Sequence, residues 1–147
     1  MAGPTAPSSS SAWPEIRRLG AFPDPLALHL AHPRRYPHCL ESSAEGTHGR
    51  WDILFAFPGD TLEARDGDFL KALDDWYGRE RIPQGRLPFL GGWFLYFSYE
   101  FAGCLEPRLA LPRGDFPLAL ATYFPAALIR DRREGVAYLV AEHPSLI

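Results

Sequence analysis

The chain has 147 residues, 46% of them hydrophobic, with 15 basic and 18 acidic side chains for a net charge of −3. A chain of this size suits one globular domain that buries about two-thirds of its unfolded surface without disulfide or metal staples. Mild acidity without a Lys/Arg cluster disfavours a nucleic-acid or membrane-surface role, because contacts to phosphate supply most of that affinity.

Residues 1–12 are rich in Pro, Ser and Ala. They lack a basic start and an apolar core, so a disordered N-terminus is expected rather than a secretory signal, with the folded domain spanning 13–147. No apolar run approaches the roughly 18 residues of a membrane-spanning helix, which points to a cytoplasmic protein without membrane partners. Cys39 and Cys104 stand far apart without CxxC spacing, as reduced thiols do.

Asp24-Pro25 is a good N-cap followed by a proline at the first helical position, opening a helix of about two turns that Pro33 stops. Cys39 to Ser42 reads as a brief strand. Trp51 to Phe57 reads as a stronger one, closed by Pro58-Gly59-Asp60 and followed by Thr61 to Arg65 as its hairpin partner. From Asp68, the apolar residues Phe69, Leu70, Leu73, Trp76 and Tyr77 recur at three-to-four spacing, which predicts the best helix of the chain. Gly91 to Tyr99 is apolar at both odd and even positions, so that strand wants cover on both faces. Phe116 to Phe124 and Ala126 to Arg130 are further strands, and Asp131 to Gly135 is a turn leading into Val136 to Ala141. The expected class is α+β: antiparallel β-sheets with a few short helices.

Several constellations invite chemistry. His29, His32 and His38 lie close together, but Pro33 and Pro37 interrupt metal-ligand spacing. Ser42 or Ser43 with His48 and Asp52 supplies the residue types of a hydrolase, without a nucleophile elbow. Gly91-Gly92 lacks the further glycines and the lysine of a phosphate loop and reads as a turn before a strand. Leu40-Glu41-Ser42 and Gly49-Arg50-Trp51-Asp52-Ile53 place an acid, a hydroxyl and a guanidinium at one loop mouth. Such a trio can hold a zwitterion, with the carboxylate on its ammonium and arginine on its carboxylate. The competing reading is an exposed hairpin with an Arg–Glu surface pair.

The succession Leu40-Glu41-Ser42, Gly49-Arg50-Trp51-Asp52-Ile53, Leu87-Pro88-Phe89-Leu90-Gly91-Gly92 and Tyr96-Phe97-Ser98-Tyr99-Glu100 resembles the N-terminal region of the component I subunits of anthranilate synthase and para-aminobenzoate (aminodeoxychorismate) synthase. The resemblance covers about Pro14 to His143. It implies the N-terminal half of that fold, non-catalytic by itself and scaffolding a chorismate-binding domain that aminates chorismate with magnesium. The family's catalytic and metal-binding residues belong to that domain and have no counterparts in this sequence, so no cofactor is expected in this segment. Implied partners are the chorismate-binding domain, a glutamine amidotransferase component II and L-tryptophan. The tryptophan pocket of the family maps onto Glu41, Ser42, His48, Gly49, Arg50 and Trp51. Trp51-Asp52 after Arg50 is more similar to the para-aminobenzoate branch than to anthranilate synthases, where an aromatic-serine pair is usual. Leu95 and Ser98 stand where the family often has glycine, and Cys39 where leucine is usual. An aromatic strand apolar on both faces also predicts self-association when no partner domain covers it. The alternatives are an anthranilate-synthase feedback domain and a free-standing amino-acid sensor.

Overall fold

A computed structural model describes residues 14–44, 49–64, 68–80, 82–112 and 114–146. The expected disordered segment 1–12 and the candidate His48 lie outside these residues. In chain order the elements are β1 (Glu15–Leu19), α1 (Pro25–Ala31), β2 (Cys39–Leu40), β3 (Trp51–Ala56), β4 (Thr61–Ala64), α2 (Phe69–Arg79), β5 (Gly92–Phe97), α3 (Ala102–Leu105), β6 (Ala119–Phe124), β7 (Ala126–Asp131) and β8 (Val136–Ala141). All strand pairs are antiparallel and form two sheets, ordered β1-β8-β7-β3-β2 and β4-β6-β5. The class is α+β, as expected, and among the described residues no helix is long and apolar enough to cross a membrane.

Local signals act where they were expected. The Asp24 carboxylate accepts from the amides of Leu26 and Ala27, capping α1, and Pro25 occupies its first turn. Helix α2 lays Phe69, Leu73 and Trp76 against β4 and β6, where they meet Ala64, Ala119 and Ala121. The Trp76 ring stands edge-on to Trp93 of β5, with centroids 5.4 Å apart. Gly91 and Gly92 have φ of +119° and +135°, a conformation that side chains resist, so the pair makes the sharp entry into β5.

The hairpin expected between Trp51–Phe57 and Thr61–Arg65 does not form. Instead β3 and β4 run on as one bent ribbon, β3 pairing with β7 and β4 with β6. The reason lies in the connection. Phe57 takes a positive φ of 59°, its amide donates to the Arg35 carbonyl at 2.8 Å, and the Gly59 amide donates to the Tyr123 carbonyl, also at 2.8 Å. The backbone is thereby re-aimed rather than reversed, like a bulge, while Pro125 breaks the facing strand between β6 and β7. Strand β1 escapes sequence reading because three of its five residues are charged, and it pairs only through β8. Helix α3 and the 3₁₀ turn before it, Tyr99–Phe101, are likewise not foreseen.

An aromatic knot joins the sheets. Phe55 of β3 lies within 5.1–5.4 Å, centroid to centroid, of Phe89, Phe94 and Phe124. His38 stacks on Phe94 at 4.3 Å. Burial lowers the His38 pKa from its ordinary value, keeping the ring neutral between the sheets. Phe124 is fully buried, a contribution of about 2–3 kcal/mol.

Candidate functional site

The predicted site residues gather at one end of the five-stranded sheet, where β2 leads into β3 and β7 leads into β8. In the β3–β7 ladder Asp52 lies directly opposite Arg130 and Trp51 opposite Asp131. Period-two alternation therefore sends Asp52 and Arg130 to one face and Trp51 and Asp131 to the other.

On the first face Asp52 is fully buried. Its carboxylate accepts from Arg130 Nε, from Arg132 Nε at 2.8 and 3.0 Å, and from the Ser42 amide at 3.0 Å. Burial pushes this carboxyl up. The bonds from Arg132, Ser42 and Arg130 outweigh burial and hold it below the usual aspartate value. Arg130 reaches toward Glu41, with Nη2 and Oε1 4.0 Å apart, and its guanidinium lies 5.0 Å from the centre of the Phe22 ring.

On the second face Arg50 donates to Asp131 through Nε at 3.1 Å and Nη2 at 2.6 Å, and its guanidinium stacks 4.4 Å over the Trp51 ring. Asp131 also accepts from the Arg133 and Glu134 amides, at 3.0 and 3.2 Å, and so shapes the β7–β8 turn. Its hydrogen bond from Arg50 lowers the Asp131 pKa against the opposing effect of burial, with the two amides adding to the shift. Gly49 is buried at the hairpin mouth, and a Cβ there would stand 1.7 Å from the Ala44 carbonyl oxygen, so only glycine fits.

Glu41, Ser42, Gly49, Arg50 and Trp51 thus meet at one loop mouth, as the spacing suggested, but they do not all face one cavity. Ser42 engages Asp52 through its backbone, not its hydroxyl. The acid that would orient a catalytic histidine is gripped by two arginines instead. Glu41 lines a cleft of about 250 Å³ walled by Leu26, His29, Tyr36, His38, Cys39 and Leu54 among others. Cys39 at this cleft is a poor nucleophile: desolvation, reinforced by Glu41 and Asp52, pushes its thiol up to about 11. His29 points Nδ1 at the Tyr36 carbonyl oxygen, 2.8 Å away. Among the described residues no group of three or more His, Cys, Asp or Glu converges as a metal site.

Sequence reasoning did not single out Arg130, Asp131 and Arg132 as partners of this hairpin. They lie about eighty positions downstream, and their alternating signs in Arg130-Asp131-Arg132 were the available signal: a strand presenting opposite charges to opposite faces. Neither a family model nor a curated protein sequence matches the chain.

Proposed function

We propose that the chain is the non-catalytic N-terminal domain of a component I subunit of para-aminobenzoate (aminodeoxychorismate) synthase. In this role it scaffolds the chorismate-binding domain and supplies part of a tryptophan pocket. One observation carries the reading: three of the four sequence blocks that bear the resemblance meet at a single strand, β3, while the fourth, Tyr96 to Glu100, lies in the other sheet beside β6. Leu40 of the first block pairs with Ile53 of the second, and Asp52 of the second holds the Ser42 amide of the first. Leu87, Phe89 and Leu90 of the third block pack with Trp51 and Ile53 over Ala127 and Ile129. Residues scattered over fifty positions thus serve one local structure, which supports reading them as one inherited unit rather than as chance matches.

Within this proposal Arg50 takes the ligand carboxylate, in competition with Asp131. Arg50 must loosen from that partner to bind, so the chain alone binds weakly and the chorismate-binding domain completes the pocket. The test is calorimetric titration with L-tryptophan of the chain alone and of the chain mixed with a separately expressed chorismate-binding domain. Heat of binding only in the mixture, lost in Arg50→Ala, supports the proposal. Binding to the chain alone makes it a free-standing sensor, and binding in neither case removes the pocket assignment.

A further inference from the structure

Among the described residues the two sheets end in four strand edges, and three of them are guarded. Strand β1 carries Glu15, Arg17 and Arg18; β2 is two residues long; β4 is four residues long and carries Glu63. Charge and brevity of this kind keep an edge from templating another strand. The fourth edge, β5, has neither: its six residues, Gly-Trp-Phe-Leu-Tyr-Phe, include no charge and no proline, and among the described residues it bonds only to β6. Its side chains are open on both faces. Leu95 is 45% exposed, Phe97 43% and Tyr96 39%. On the Leu95 face the apolar surface continues into a groove of about 780 Å³ bordered by Leu70, Leu73 and Tyr77 of α2, with Lys71 and Asp74 at its rim.

We infer that β5 pairs with β5 of a second copy of this chain, antiparallel about a twofold axis through Leu95, making one continuous six-stranded sheet. Three features select a second copy over a foreign strand. An uncharged strand does not repel itself and offers no charge by which to choose another partner. A twofold normal to the sheet keeps each side chain on its own face, so Leu95 meets its copy, Trp93 meets the partner's Phe97, and Phe94 meets the partner's Tyr96. Those are the aromatic cross-strand pairs that stabilise antiparallel sheets. The same twofold sets the two α2 helices on one face, where the groove rim carries both signs of charge, Asp74 and a Lys71 bridged to Asp75 of its own helix at 2.7 Å, and so does not repel its copy. This inference is independent of the synthase reading, since it rests on the edge alone.

Sedimentation analysis of the full chain at tens of micromolar tests it. The wild type is expected to be a dimer. Leu95→Lys and Leu95→Glu each place like charges across the axis and weaken association by about a hundredfold or more, and an equimolar mixture of the two recovers the dimer. Circular dichroism confirms that each variant is folded. Should either fail to fold, Leu95→Cys in a Cys39→Ser, Cys104→Ser background replaces it, and rapid oxidation to a covalent dimer is then expected, because directly opposed strand positions fall within disulfide reach. A monomeric wild type, a dimer that survives Leu95→Lys, or a mixture that stays monomeric overturns the inference. So does a monomer that instead binds the chorismate-binding domain through these residues.

Discussion

The five-stranded and three-stranded sheets solve the same problem in opposite ways. At the β3–β7 end of the first, charged side chains are drawn inside: Asp52 and Asp131 are buried, and each is matched by arginines across the ladder. At the β5 end of the second, apolar side chains are left outside, with Leu95, Tyr96 and Phe97 open to solvent. The first region is closed by its own partners; the second is left incomplete and ready for another strand. Buried carboxylates are tolerated because every oxygen finds a donor, whereas an aromatic edge stays exposed where no other strand of the described residues pairs with it.

Cutting the joint between the two regions should have the largest effect. Phe124→Ala removes a fully buried ring from the aromatic knot and is expected to destabilise the fold by about 3–5 kcal/mol, read from the urea midpoint. Asp52→Asn comes next, at about 2 kcal/mol, since Arg130 and Arg132 lose their shared anion but still reach water. That variant also sharpens the electrostatic side of the contrast. The folded pKa of Asp52 lies below its unfolded value of about 3.9, so its stabilisation is complete above that pH and is lost as pH falls through the folded value. Acid unfolding of Asp52→Asn should therefore be less steep than that of the wild type.

A smaller effect is expected from His38. Its folded pKa is depressed, so the stability it contributes is complete above the unfolded value of about 6.5 and declines as pH falls toward the folded one. The wild-type urea midpoint should drop between pH 7.5 and 5.5, and His38→Phe, which retains a ring on Phe94, should flatten that slope. Least of all, Leu95→Lys should alter unfolding of the isolated monomer by no more than about 0.5 kcal/mol, because the side chain is half exposed. A large loss of monomer stability there would show that β5 is already covered, which would erase the contrast.

Much of the secondary structure was legible because its causes are local. A capping aspartate and a following proline start α1, three-to-four periodicity makes α2, paired glycines turn the chain into β5, and Asp131 to Gly135 turns β7 into β8. The loop-mouth cluster was legible in part: spacing brought Glu41, Ser42 and Arg50 together, but spacing carries no information about a strand eighty residues away. Which strand lies beside β3 depended on the bend at Phe57 and on Tyr123, so Thr61–Ala64 passed from a hairpin partner of β3 to a partner of β6.

The sequence by itself determined the class, helices α1 and α2, most strands and the turns into β5 and β8, since these follow from side chains within one or two turns of the backbone. The tertiary structure alone decided that Arg50 is held by Asp131, that Asp52 is buried between two arginines, and that β5 is the bare edge. Those outcomes depend on cross-strand register between distant segments, where a shift of one residue would exchange the two faces and every partner on them.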